Sequence, residues 1–187
     1  IPYDFIRKRL SIAVQQGEKR WMIVKGAYNS IVDVCTNYQS GVNEIKPLDS
    51  AVRDRLDTFF TGRSEAGYRV LGLASKSLDA QRITKDDERE LTFLGFLLLE
   101  DPLKSSTLDS VKRLGEMNIG IKIITGDNRY AARHTAGLLG LHDAGILTGA
   151  DMDKLTLESL VVKARDTQVF SEIEPHQKER IIKALQR

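Results

Sequence analysis

Apolar and polar positions follow two rhythms along this chain. Up to about residue 100 the apolar residues gather in strand-length runs: 10–14 (LSIAV), 21–25 (WMIVK), 68–75 (YRVLGLAS) and 91–100 (LTFLGFLLLE). Runs of this length, rich in β-branched and aromatic residues, predict strands. The polar QQGEKR between the first two predicts a hairpin. Two stretches carry helical spacing instead. Residues 27–38 (AYNSIVDVCTNY) place Ile31, Val34, Cys35 and Tyr38 on one helical face. Residues 48–67 (LDSAVRDRLDTFFTGRSEAG) carry Val52, Leu56, Phe59 and Phe60 as an apolar stripe. Asp49 or Ser50 can cap that helix and Gly67 can end it. The charged DAQRITKDDERE at 79–90 reads as a loop.

Beyond residue 104 helical stripes alternate with short apolar strands. The predicted helices are 106–118, 128–140, 154–166 and 175–187, the last begun by Pro175. The predicted strands between them are 119–125 (IGIKIIT), 144–149 (AGILTG) and 167–171 (TQVFS). This alternation predicts a parallel sheet wrapped by helices. A domain boundary therefore falls at 101–104 (DPLK), where Pro102 disfavours helical backbone at Asp101.

Composition narrows the classes. Hydrophobic residues make up 41% and charged residues 29% of the 187 positions, ordinary for a globular chain. A net charge of +2 argues against a nucleic-acid surface. Cys35 is the one cysteine, so no intrachain disulfide forms, and a reducing compartment fits. The run at 93–99 is too short to cross a bilayer as a helix, and no signal peptide is visible. It and Trp21 read as core. The RKR at 7–9 reads as a solvated strand edge. His134, His142 and His176 lack ligand spacing, so no metal site is expected. The chain starts without methionine and stops inside a helical pattern, and is read as a piece of a longer protein.

Candidate chemistry concentrates at 119–130 (IGIKIITGDNRY), where a strand stops at a hydroxyl, a glycine and a carboxylate. In parallel α/β sheets ligands bind at the carboxyl ends of strands. Thr125 can donate to a phosphoryl oxygen, Gly126 allows close backbone approach, and the following helix N-terminus favours an anion. Asp127 is either a helix cap or a group that arranges a nucleotide or metal. Lys178 lies in the first turn of the last helix, where a cation is unfavourable, and either faces an anion or is solvated. Lys25-Gly26 is a second basic, backbone-accessible pair at a strand end, or an ordinary strand-end lysine.

Six motifs occur in an order that resembles one family. They are IPYDFIRKRLS, VKGA, YRVLGLA, LGFLLLEDPLK, KIITGDN and VFSEIEPHQKERIIKALQ, and they cover nearly the whole chain. Their order and spacing resemble the P-type cation-transporting ATPases, most of all bacterial magnesium-transporting members. The resemblance implies an α/β layout. Residues 1–100 form an N-terminally truncated nucleotide-binding domain with an antiparallel sheet plus helices, and 101–104 a hinge. Residues 105–187 form part of a haloacid-dehalogenase-like, Rossmann-like parallel αβ phosphorylation domain. It also implies roles. Tyr3 stacks on adenine, Lys25 and Gly26 belong to the adenine pocket, and Arg69 reaches the phosphates. Asp101 and Lys104 belong to the hinge. Thr125, Gly126 and Asp127 hold phosphate near the nucleophile, and Lys178 neutralises the phosphoryl group.

ATP is then the bound nucleotide, with Mg2+ serving the parent enzyme, whose aspartyl phosphate drives ion transport. The implied partners are the actuator and transmembrane domains of the parent pump. The implied location is the cytoplasmic side of an integral protein of the bacterial plasma membrane. Two family motifs are absent: the Asp-Lys-Thr-Gly-Thr that carries the nucleophile and the Gly-Asp-Gly-x-Asn-Asp magnesium loop. The fragment alone is therefore expected to be inactive. Glu172 stands where the family usually has arginine, and Tyr3 where it has phenylalanine. DMDK at 151–154 lacks a preceding strand and reads as a loop and helix start. The alternatives are a haloacid-dehalogenase-type phosphatase with a cap and a non-catalytic nucleotide-binding or interaction module. The missing nucleophile strand leaves a sheet edge open to pairing with a second copy.

Overall fold

The computed structural model describes residues 1–79, 83–142 and 144–187. The charged loop expected at 79–90 includes 80–82, which lie outside the described residues. The chain divides into two compact units, one of residues 1–62 and 70–99, the other of residues 63–69 and 100–187.

The first unit is built on a six-stranded sheet of order β1-β2-β5-β6-β3-β4. These are β1 (Arg9–Gln16), β2 (Lys19–Ala27), β3 (Cys35–Gly41), β4 (Glu44–Pro47), β5 (Arg69–Ser77) and β6 (Leu91–Leu99). The expected hairpin forms: β1 and β2 run antiparallel, with Arg9 opposite Gly26 and Gln16 opposite Lys19. β2 also pairs antiparallel with β5, whereas β3 runs parallel to β6. Helices α1 (Tyr28–Val32) and α2 (Ser50–Glu65) supply the covering layer. Asp49 caps α2 by accepting from the Val52 amide at 2.8 Å, and Gly67, at φ +91°, follows its end. Met22, Val24, Tyr28, Ile31, Val32, Ala74, Leu91 and Phe93 form the core, with Leu56 and Phe60 packed on it. Tyr28 stacks on Phe60 with ring centroids 4.7 Å apart and donates to Asp57 Oδ1 at 2.5 Å.

Three expectations are corrected here. The helix expected through Tyr38 stops at Val32, and Cys35 and Tyr38 lie on strand β3. Trp21 is half-buried rather than core. The 93–99 run is core only at its start: Phe93 is buried, while Leu98 and Leu99 are exposed.

The second unit holds a three-stranded parallel sheet of order β7-β9-β8. The strands are β7 (Ile123–Ile124), β8 (Ile146–Thr148) and β9 (Val169–Ser171). Around them stand α3 (Ser105–Glu116), α4 (Arg129–Leu138), α5 (Gly149–Met152), α6 (Leu157–Asp166) and α7 (Pro175–Leu185). Met152, Leu160, Ala164, Phe170, Ile181 and Ala184 fill one core, and Ala132, Ala136 and Val169 a second. Each side chain follows the periodicity of its element, which is why the α/β alternation was legible. No described helix is long and apolar enough to cross a membrane.

Candidate functional site

The polar side chains of interest gather in two places, one in each unit. In the first unit they lie where residues 1–11 fold back on the sheet. Asp4 bridges to Arg9, and Arg9 pairs with Gly26 on β2. The turn between them has Lys8 at φ +52° and is closed by the Lys8 amide donating to the Asp4 carbonyl at 2.9 Å. The Ala27 amide then donates to the Lys8 carbonyl at 2.9 Å. Gly26 is what admits that carbonyl: a Cβ there would overlap the Lys8 oxygen and lie 2.6 Å from the Arg9 Cβ. The backbone-accessible glycine is thus filled by the chain itself. Tyr3, 48% exposed, leads into this turn, with its ring edge-on to Phe5 at 5.4 Å. Lys25, next to Gly26 in sequence, is exposed and lies opposite Leu10.

The RKR stretch is not a solvated edge. Arg7 and Arg9 side chains are only 15% exposed, and both are ion-paired to the fully buried carboxylate of Glu88. Asp4 accepts from the Arg7 backbone and guanidinium, which hold its carboxyl down to about 2. Burial pushes the Glu88 carboxyl up, but hydrogen bonds from Ser11, Arg7 and Arg9 outweigh it and leave it below the usual carboxylate range. Sequence reasoning missed Glu88 because it sits inside a run of charged residues, 85–90.

In the second unit Thr125, Gly126 and Asp127 follow β7, at the carboxyl end of a parallel strand. The Thr125 hydroxyl donates to Asp127 Oδ2 at 2.7 Å and accepts from the Asp127 amide at 3.1 Å. The cap of α4 is Asn128, not Asp127: Asn128 Oδ1 accepts from the Tyr130 and Ala131 amides, both at 3.0 Å. Asp127 therefore has no capping duty. A Cβ on Gly126 would meet only the Ile173 carbonyl at 3.6 Å, an ordinary contact, so nothing in the chain requires glycine there. Glu172, the residue of reversed charge, accepts from the Arg129 amide at 3.2 Å. Its carboxylate serves the α4 N-terminus, where negative charge is favourable.

Arg69 belongs to this unit, its Nε 3.7 Å from Asp127 Oδ1. Lys178 is exposed on the first turn of α7. Its neighbour Gln177, 3% exposed, fixes that turn: Nε2 donates to the Gly149 carbonyl at 3.1 Å and to Asp153 Oδ1 at 2.9 Å. Gln177 carried no sequence signal. Asp101 and Lys104 are exposed, and Lys104 stands at the start of α3 without a capping hydrogen bond from its side chain. Asp151 is the third residue of α5, in a capping box with Thr148, so DMDK covers the end of that short helix and the turn after it rather than a helix start. His134 packs against Gly67, its Nδ1 3.1 Å from the Glu65 carbonyl.

Comparison with known proteins adds the following. Residues 1–106 match the family model described as P-type ATPase, cytoplasmic domain N. Magnesium-transporting ATPase, P-type 1, of Escherichia coli K12 is 32% identical over 190 residues, covering 100% of this chain and 21% of that protein. The protein of the same name from Salmonella typhimurium strain 14028s is 33% identical over 193 residues, again 100% and 21%. Calcium-transporting ATPase 1 of Bacillus cereus is 27% identical over 188 residues, 99% and 21%. The chain thus spans 21% of the length of each of these three relatives.

Proposed function

Because the chain belongs to the P-type ATPase family, we propose that it is the ATP-binding cytoplasmic part of an ATP-driven cation pump, with magnesium as the transported ion. The observation that carries this is the corner of the first unit where the arm bearing Tyr3 folds onto β2 beside Lys25 and Gly26. It lies within residues 1–106, the part that matches the nucleotide-domain family. An exposed aromatic on the arm and an exposed lysine on β2 suit the adenine end of a nucleotide. Stacking contributes about 1–3 kcal/mol per base.

In this reading Tyr3 stacks on adenine, Lys25 and Gly26 belong to the adenine pocket, and Arg69 reaches the phosphates. Residues 1–100 form the nucleotide domain, 101–104 a hinge through Asp101 and Lys104, and 105–187 a partial phosphorylation domain of haloacid-dehalogenase type. Thr125 donates to the transferring phosphoryl, Gly126 admits it, Asp127 orients it, and Lys178 neutralises it. The uncapping of Asp127 and the sterically unneeded Gly126 support that role. Positioning and charge are the means by which phosphoryl transfer is catalysed. The aspartate that accepts the phosphoryl belongs to a motif outside this sequence. Among the described residues no three His, Cys, Asp or Glu side chains cluster for a cation. These side chains do not fit a magnesium site. In this reading the parent lies in the bacterial plasma membrane, with this part on its cytoplasmic side.

The test is calorimetric titration of the chain with ATP. The expected result is weak binding, Kd about 0.1–1 mM, or about −4 to −5.5 kcal/mol. Tyr3→Ala and Lys25→Ala should each abolish the heat. Unchanged binding in both variants would place the nucleotide elsewhere. No phosphate release is expected, and turnover retained in Thr125→Ala, Asp127→Ala and Lys178→Ala would overturn the reading.

A further inference from the structure

A buried charged cluster remains that the proposed chemistry does not use. Glu88 follows the single 3-10 turn Lys85–Asp87, in a stretch of charged and exposed residues, yet it is 2% exposed. Three donors converge on its carboxylate. The Ser11 hydroxyl donates to Oε1 at 2.5 Å, Arg9 Nε to Oε2 at 2.8 Å, and Arg7 Nη1 also to Oε2. Arg7 carries the network outward: its Nε donates to Asp4 Oδ2 at 2.6 Å and its Nη2 to the Pro2 carbonyl at 3.1 Å. Among the described residues, every side-chain donor to the Glu88 carboxylate belongs to residues 1–11, the segment that holds Tyr3.

Backbone bonds tie this segment at its ends: the Ile1 ammonium donates to the Ser11 carbonyl at 2.7 Å, the Ser11 amide to the Ile1 carbonyl at 3.0 Å, and Asp4 bridges to Arg9. The side chains between them are directed by the Glu88 cluster. A buried ion pair costs desolvation and is a weak source of net stability, but its geometry is demanding. Charge-assisted bonds to one carboxylate hold three side chains of the arm in fixed directions. We propose that Glu88 is a positioning residue for nucleotide binding: by gathering Ser11, Arg9 and Arg7 it sets the arm on the sheet and fixes the place of Tyr3. This rests on the reading that the first unit binds ATP. Glu88 touches no nucleotide itself; it acts through Arg7, Asp4 and the turn between them.

The experiment is a nucleotide titration followed by chemical shifts, on the whole chain, in wild type, Glu88→Gln, Tyr3→Ala and the double variant. Glu88→Gln keeps the shape and removes the charge. With the fold verified by circular dichroism, its Kd for ATP should rise about tenfold. Tyr3→Ala should cost nothing further in the Glu88→Gln background, since a misplaced ring contributes no stacking. A residue that merely stabilises the sheet would give losses that add. Arg7→Lys keeps the positive charge but not the fork that spans Glu88 and Asp4, and it should weaken binding in the same sense. If Glu88→Gln does not fold, Arg7→Lys and Ser11→Ala carry the comparison, because both keep the buried carboxylate. Wild-type affinity in the folded variants, or additive losses, would overturn the role of Glu88 while leaving the ATP site standing. No binding by folded wild type would reject the ATP reading and this role with it.

Discussion

At Gly26 an added methyl group would overlap the Lys8 carbonyl and crowd the Arg9 Cβ. Gly26→Ala should therefore destabilise the first unit by about 1–3 kcal/mol, the usual cost of overpacking, read as a lower urea midpoint. Ser171 presents the opposite case. It is fully buried at the end of β9, and its hydroxyl has no hydrogen-bond partner among the described residues. Ser171→Ala should be neutral or stabilising by up to about 2 kcal/mol in the same assay, because an unpaired buried hydroxyl is a cost. Residue identity was legible where a motif marked it, as at Thr125 and Asp127. It was not where burial alone decides. Glu88 sits in DDERE beside residues that stay exposed, and nothing in the order of charges tells which one turns inward. Asn128 was overlooked as the cap because Asp127, one position earlier, is an equally good capping residue type.

Most elements followed from apolar spacing, and the failures have a physical cause. Between 27 and 38 the apolar residues recur at 31, 34, 35 and 38, which fits a helical face. The first turn of that pattern is α1, and the rest pairs with β6 and β4 instead. Periodicity does not separate a short helix from a short strand, and tertiary pairing decides. β4 is exposed throughout, so it had no apolar signal to read. Two predictions belong here. Asn128→Ala removes both cap bonds of α4 and should cost about 1 kcal/mol, seen as faster amide exchange in its first turn. Acid should loosen the segment ahead of β1. Asp4, held at about 2 against an ordinary 3.8, and Glu88, also held low, bind fewer protons folded than unfolded. Their contribution is complete above those ordinary values and is lost as pH falls through the folded ones. Protection factors at amides 4–11, corrected for intrinsic exchange, should fall between about pH 4.5 and about pH 2, beyond the change at β5, and less so in Glu88→Gln.

Each of the two units buries its own core, so a ligand for one need not stabilise the other. With Kd in the proposed range, about 5 mM ATP should stabilise the first unit by about 1–2 kcal/mol. Exchange protection should rise in β1, β2 and β5, and not in α6 or α7. The three-stranded sheet ends in β7, which pairs only with β9 among the described residues. An open edge of this kind favours self-association. Sedimentation should therefore show a monomer–dimer equilibrium, and a monomer at every concentration would refute it. The chain passes from one unit to the other between Leu99 and Glu100, beside the proline-bearing stretch. Residues 63–69 fall in the second unit through contacts such as Asn128 with Ser64, which no local pattern encodes.

Trp21 is the chain's one tryptophan, and it lies half-buried on β2, opposite Ser77 of β5. The molecule thus carries a natural optical label confined to one of its parts. Indole emission will track the melting of the six-stranded sheet and stay blind to the helices around the parallel one. Circular dichroism, dominated by those helices, weighs the other part more heavily. A lag between the two signals on heating would reveal separate melting without any label being introduced, and the same indole offers a spectroscopic handle for nucleotide arriving farther along its own strand.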